Sequence, residues 1–366
     1  MRILIITHSP LSAEFGAGQI AINLADALTA QGHEVVLWSP HPLKKTKWWR
    51  SIQQMRSKAD SFIAGQKPFD MIDCPPTLIT RRMCRSSIVV ARSTQPDFLY
   101  LGNQLASVTR KKVNLSRLPF NFAYSMFHLF LVLQGWRMSD YILCLGSLEL
   151  QWMRRKFPWW RGKLISYVNA LSASDQAALA AIRRRRKDHP AEGIRFLWIG
   201  RWTSHKGTDV LLEFINDWSN QRPQDSFTVA GCGTEAEKDC PSELIKAGRL
   251  RIIPSFTREE LYTLLTTHDA GLFTSKVEGW GLSLNEMLES GMRVFASRAG
   301  GTVDLEPFFN TLCSFPPTAE FATSAKELEL PDEYYTSFSW PQIARAYIAS
   351  ISTSDEVTEA IADQIA

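Results

Sequence analysis

The chain alternates short, continuous apolar runs with longer amphipathic ones, and it does so twice. "RILII" (2–6) leads to "QIAINLADALTAQG" (19–32), whose apolar residues recur at helical spacing, and then to "HEVVLWSP" (33–40). A strand that is apolar along its whole length is buried on both faces, and a helix linking two such strands covers one of those faces. The pattern therefore requires a parallel sheet between layers of helix, with Gly32 placed as the C-cap of the first helix. "KPFDMIDCPP", "SIVVARST", "DYILCLGS" and "KLISYVNAL" continue as strands, with helices at 118–136 and in "ELQWMRRKF".

The character changes at "SASDQAALAAIRRRRKDHPAEG" (172–193), which is polar, Ala-rich and strongly basic. A solvated helix plus linker is the expected form, with acidic lipid headgroups as the sharper alternative for its arginines. The alternation then restarts with strands "IRFLWIG", "SFTVAGCG", "RLRIIPSF", "DAGLFTS" and "MRVFAS", and helices "TDVLLEFINDWSN", "TREELYTLLTTH" and "LSLNEMLESG". The expected fold is α/β, with two Rossmann-like βαβ domains facing each other across a cleft. Their expected bounds are 1–171 and 194–340, joined by the linker 172–193. Residues 341–366 are expected to form a helical segment crossing back to the first domain.

Of the 366 residues, 45% are hydrophobic and 21% charged, as in an ordinary soluble protein. A net charge of +4 is too mild to announce a nucleic-acid binder, though it suits an anionic ligand. The six cysteines are scattered and form no C-x-x-C pair, so free thiols in a reducing, cytoplasmic setting are expected. The apolar run in "MRILIITHSP" is too short for a signal peptide. "LPFNFAYSMFHLFLVLQGW" (118–136) carries Asn121, Ser125, His128 and Gln134, so it reads as a core or interfacial helix rather than a membrane crossing. With "KTKWWR" (45–50) it allows peripheral contact at the inner face of a membrane.

Two turns carry the candidate chemistry. In "SKVEGWGLSLNEMLESG" (275–291) the expected strand ends at Ser275 and a helix starts near Leu282, leaving unpaired amides around Gly281 to Ser283. Those donors and the helix dipole make an anion site, and Gly279 and Gly281 let a ligand approach the backbone. Glu286, a turn into the helix, is placed to accept from sugar hydroxyls, and Glu278 to reach another part of the ligand. The plain alternative is a pair of carboxylates serving only the helix dipole. In "GRWTSHKG" (200–207), Gly200 opens a strand-end turn that brings Arg201 and Lys206 to the same sheet edge, where two cations suit a pyrophosphate. His205 in this loop has a solvent-exposed position as its simplest reading.

With these motifs on the page, the C-terminal half resembles the retaining glycosyltransferases of family 4, of GT-B fold (glycosyl transferases group 1). "GRWTSHKG", the glycine turn "VAGCGTE" with Gly231, the two glutamates of 275–297, "AGGTVDLE" and "FSWPQIARAY" follow the family's order. "GAGQIAINLADALTAQGHEVVLWS" is similar to the family's first glycine loop, helix and strand. The resemblance implies transfer of a sugar from a nucleotide-diphosphate donor to an acceptor hydroxyl, with anomeric configuration retained. It implies Arg201, Lys206 and Glu278 as catalytic residues. Donor contacts fall on Gly16, Gly18, Gly200, Gly231, Gly279, Trp280, Gly281, Leu282, Ser283 and Glu286, the last on the ribose, with Gly16 and Gly18 facing the diphosphate. The acceptor is a glycan, a lipid-linked sugar or a small molecule, and His8, Asp73 and Arg92 are candidates on its side. Structural readings of His8 and Asp73 stand beside that one. No D-x-D string occurs, so no metal and no other cofactor are expected.

Many relatives carry a histidine after the strand "VVARS", and this chain has Arg92, Ser93, Thr94 and Gln95 there. That departure motivates an alternative, a nucleotide-sugar-binding partner protein without turnover. A nicotinamide dehydrogenase is disfavoured, because "GAGQIA" ends in Ala21 rather than the third glycine and no acid closes "EVVLW".

Overall fold

The computed structural model describes residues 1–11, 16–44, 48–92, 96–110, 118–186, 193–318 and 329–351. The chain divides into two units, one of 1–98, 113–170 and 336–366, the other of 99–112 and 171–335.

The first unit is built on β1 (Arg2–Ile6), β2 (Glu34–Trp38), β3 (Met71–Cys74), β4 (Ile88–Arg92), β5 (Tyr141–Leu145) and β6 (Leu164–Tyr167). Their order across the sheet is β2-β1-β3-β4-β5-β6 and every pairing is parallel. Four of the five residues of β1 and all of β3 and β5 are buried, as strands covered on both faces must be. The helices are α1 (Gly16–Ala30), α2 (Trp48–Ala64), α3 (Asp97–Arg110), α4 (Leu118–Met138) and α5 (Gly146–Lys156), α3 grouping with the second unit from residue 99 onward. Gly32 follows α1 with φ +87°, the left-handed turn that ends it. The motif glycines Gly16 and Gly18 lie inside the first turn of α1 rather than in a loop before it. α2 and α3 were not anticipated, because their polar content hides the apolar stripe.

The second unit contains α6 (Ala173–Arg185), β7 (Arg195–Ile199), α7 (Thr208–Gln221), β8 (Ser226–Ala230), α8 (Ala236–Asp239), α9 (Ser242–Lys246) and β9 (Leu250–Ile253). It continues with α10 (Arg258–Thr267), β10 (Ala270–Phe273), α11 (Leu282–Glu289), β11 (Arg293–Ala296), α12 (Thr302–Leu305) and β12 (Leu312–Ser314). The sheet order is β12-β11-β10-β7-β8-β9, again wholly parallel. Counted from β7, this is the doubly wound order 3-2-1-4-5-6, whose reversal point lies between β7 and β10. Phe196, Trp198, Phe214, Trp218 and Phe227 fill its core.

Of the stretch expected as a solvated helix plus linker, Ala173–Arg185 form a helix packed within this unit. Ser172 caps α6, and Leu179 and Arg183 are buried. Its arginines are not a solvated face either. Arg183 donates to the Glu289 carbonyl and to the Tyr335 hydroxyl, and Arg186 to the carbonyls of Leu265, His268 and Ser290. Those carbonyls lie at the C-terminal ends of α10 and α11, where backbone acceptors lack helical partners and positive charge is favoured. Burial lowers the Arg186 pKa to about 10, so the guanidinium stays charged at neutral pH. Only Arg184 and Arg185 of the run are exposed.

Candidate functional site

The reversal point of the second sheet gathers the turns that follow β7 and β10. The β7 turn is fastened to the end of β10 by close backbone contact. Gly207 has φ +69°, and a Cβ there would stand 1.9 Å from the Thr274 carbonyl oxygen. The Thr274 hydroxyl donates to the Lys206 carbonyl at 2.9 Å and accepts from the Trp198 indole at 3.0 Å. Lys206, so placed, pairs through Nζ with Glu278, whose Oε2 also accepts from Ser275 at 3.2 Å. Arg201 is exposed at the same turn.

His205 marks how tightly these groups cluster. It is buried, not solvent-exposed, and its ring meets Tyr100 edge-on at 4.8 Å. Burial lowers its pKa to about 4; Lys206 and Arg201 push the same way and Glu278 opposes. The imidazole is thus neutral between two cations and an anion.

The turn after β10 presents the start of α11. Gly281 caps the helix with φ +90°, a conformation open to glycine, and a Cβ there would meet the Phe273 ring at 2.9 Å. No side chain caps α11 and its first turn holds no acid, so the amides of Leu282 and Ser283, ahead of the Asn285-to-Gly281 bond, have no side-chain acceptor at the cap. Such an end favours an anion. The G-G turn explains why the segment holds this shape. Gly301 N donates to the Trp280 carbonyl at 2.8 Å, and a Cβ on Gly300 would approach that oxygen to 2.5 Å. Trp280 is 2% exposed and donates to Asn285 at 3.1 Å. Its indole is thus a buried wedge. Gly231, at the end of β8, has φ +72° with Phe256 where a Cβ would go.

Glu286 is buried on α11, and its Oε1 accepts from Arg258 at the start of α10. Arg258 also pairs with Asp175 of α6 at 2.7 Å and lies over the Tyr262 ring at 5.3 Å. Asp175 in turn accepts from Tyr262 and Ser172, both at 2.7 Å. Burial pushes the Glu286 carboxyl up and Arg258 pulls it back; burial would lower Arg258, but Glu286 and Asp175 outweigh it and hold it charged. Arg258 was not singled out in the sequence. One signal was available: an arginine in a first helical turn opposes the helix dipole and calls for a compensating anion.

In the first unit, Asp73 and Arg92 are interior groups, which corrects their expected place beside an acceptor. They are 0% and 4% exposed, and Arg92 Nε donates to Asp73 at 2.7 Å. Tyr347, from the C-terminal helix (340–351), donates to the other Asp73 oxygen at 2.8 Å. Two charges buried together need each other, and neither is presented to a ligand. His8, after β1, is open to solvent, and its carbonyl accepts from His41 Nε2 at 2.8 Å. Its surroundings still desolvate it enough to lower its pKa, with Asp97 opposing. His128 stands 3.4 Å from that Asp97. Gly18 is buried and Gly16 exposed. Cys74, Cys144, Cys232 and Cys240 are buried and all six cysteines are free thiols. Among the described residues, no group of three His, Cys, Asp or Glu side chains is placed to hold a metal ion, and no helix is long and apolar enough to cross a membrane.

Two parallel six-stranded sheets sheathed in helices, one of them doubly wound with glycine turns at its reversal point, define the GT-B fold of glycosyltransferases. Residues 181–334 match the family model "Glycosyl transferases group 1". An uncharacterized glycosyltransferase of Bacillus subtilis, YqgM, is 30% identical over 115 residues, or 30% of this chain and 32% of that one. The matched part spans about a third of the length of the curated relatives. Sucrose-phosphate synthase from Thermosynechococcus elongatus superposes with a TM-score of 0.64 at 15% identity, over 100% of this chain and 99% of that one. Anabaena HepE, solved with UDP and glucose, gives 0.57 at 13% identity over 96% and 99%.

Proposed function

We propose that the protein is a retaining glycosyltransferase that moves a sugar from a nucleoside-diphosphate donor to an acceptor hydroxyl. The observation that carries this reading is the start of α11: Gly281 leaves the first amides without a side-chain cap, and Lys206 and Glu278 meet beside it. As the glycosidic bond of the donor breaks, negative charge collects on the departing diphosphate. Cations and amides already aimed there stabilise that charge without reorganising. Arg201, Lys206 and the amides of Leu282 and Ser283 have that role, and Glu278, held by Lys206 and Ser275, faces the sugar end of the donor. Glu286, fixed by Arg258, takes the ribose. HepE, of the same fold, holds UDP and glucose. Fixed cations can neutralise the leaving group, so we assign no metal to the reaction.

Calorimetry with UDP tests the donor site. Wild-type protein is expected to bind with equal affinity in EDTA, Glu286→Ala to bind at least about tenfold more weakly, as loss of a charged hydrogen-bond partner implies, and Lys206→Met to be weakened as well. Unchanged affinity in both variants would overturn the assignment. Incubation with labelled UDP-, GDP- and ADP-sugars and candidate acceptors then reads transfer, and the anomeric configuration of the product reads retention.

A further inference from the structure

The outward face of α4 does not suit a helix bathed only in water. Its inner face is packed: Val132 and Trp136 belong to the core of the first unit, and a Cβ on Gly135 would lie 2.1 Å from the Pro76 carbonyl oxygen. A surface helix normally turns polar residues outward. Here Phe122, Met126 and Phe130 are 55%, 49% and 59% exposed. Spaced four apart, they form one stripe about 12 Å long, and Arg137 continues it on the same side about two turns further on.

A second exposed apolar group lies by the C-terminal end of α4. The 3₁₀ turn Pro158–Lys163 is held there by Lys163, whose Nζ donates to the Arg137 and Ser139 carbonyls at 3.4 and 2.5 Å, and by Trp160 against Trp136 at 5.8 Å. That turn lifts Trp159 to 69% exposure, the highest among the exposed large apolar side chains. Arg154, Arg155 and Lys156 at the end of α5, Arg161 in the same 3₁₀ turn and Arg137 near the end of α4 are all exposed. Among the described residues none of these five is in an ion pair.

We propose that the α4 stripe and the Trp159 knuckle form a docking surface for an anionic phospholipid bilayer, on which α4 lies without crossing it. Apolar side chains enter the headgroup–acyl boundary while the surrounding cations meet lipid phosphates, and an exposed tryptophan suits that depth. The continuous apolar stripe of Phe122, Met126 and Phe130 on one helix flank favours the bilayer, and a polyanion site is an outcome of the test. The proposal concerns the first unit alone and stands or falls independently of sugar transfer.

Co-sedimentation of the full chain with phosphatidylcholine vesicles, with and without a quarter phosphatidylglycerol, tests it at low and high salt. Binding is expected only with the anionic lipid and is expected to weaken in salt. Phe122→Ser with Met126→Ser and Phe130→Ser, and separately Arg154→Glu with Arg155→Glu and Arg161→Glu, are each expected to reduce it at least about tenfold. Both variants are expected to melt within a few degrees of wild type. If one fails to fold, Trp159→Ala reports on the same surface with a single exposed change. No binding by wild type overturns the proposal. So does loss in the charge variant alone together with equal capture on heparin, which marks a polyanion site. Sedimentation equilibrium that shows a dimer dissolved by the apolar variant would overturn it in favour of a second copy on that face.

Discussion

The hydroxyl of Tyr347 donates to the carboxylate of Asp73 across 274 positions of sequence, at 2.8 Å. The C-terminal helix is thereby hydrogen-bonded to the carboxyl end of β3, where Asp73 also receives Arg92. Tyr347→Phe removes one hydrogen bond to a charge and is expected to cost about 1.5–3 kcal/mol. Asp73→Ala leaves Arg92 buried without its partner and is expected to cost about 3–5 kcal/mol. Urea unfolding followed by near-UV circular dichroism measures both. If Asp73→Ala is as stable as wild type, the pair is not structural.

Glu289 gives the second unit a pH dependence. It is fully buried, and burial raises its pKa to about 7 against the pull of the Tyr334 hydroxyl. The folded state therefore holds this proton more tightly than the unfolded one. Its contribution to stability is complete below about pH 4.5 and declines as pH rises through about 7, by about 3 kcal/mol in total. His205 works in the opposite direction, losing stability as pH falls from 6.5 toward 4 because the folded state disfavours its charged form. Comparing Glu289→Gln with wild type between pH 5 and 8 isolates the glutamate. The stability difference is expected to shift in favour of the variant as pH rises, and a flat difference would refute the assignment.

Gly281 and Gly233 separate backbone strain from crowding. Both have positive φ, +90° and +65°, but a Cβ meets Phe273 at the first and nothing within 4 Å at the second. Gly233→Ala is expected to cost about 1 kcal/mol from backbone strain. Gly281→Ala is expected to cost more and also to weaken UDP, since it displaces the amides that begin α11. Thermal melts with and without UDP distinguish the two effects.

The arginine run 183–186 offers an internal control. Arg186→Leu leaves helix-end carbonyls of α10 and α11 without their donor and is expected to cost about 2–4 kcal/mol. Arg184→Ala and Arg185→Ala, on exposed side chains, are expected to stay within about 0.5 kcal/mol of wild type. Equal effects from all three in urea would disprove the capping role.

Arg201 is exposed and Lys206 is paired, so their losses are expected to read differently. Arg201→Ala is expected to leave the melting temperature unchanged and to lower turnover about 100-fold, the scale of one preorganised donor. Lys206→Met strands Glu278 and is expected to lower both. Turnover by Arg201→Ala at the wild-type rate would remove it from the reaction.

Sequence alone determined the elements that are periodic over a few residues. Continuous apolar runs such as "RILII" and "YILCL" required buried parallel strands, and Gly32 and Gly281 marked turns because no other residue takes those angles cheaply. The turns around Lys206 and Glu278 were legible for the same reason, being local in the chain. Tertiary structure decided the strand order that brings those two turns to one reversal point, and it decided which charges are occupied. Arg258 on Glu286, Arg186 on two helix ends and Arg92 on Asp73 are pairings between distant segments. A charge's solvation depends on what folds over it, and no local pattern in sequence records that.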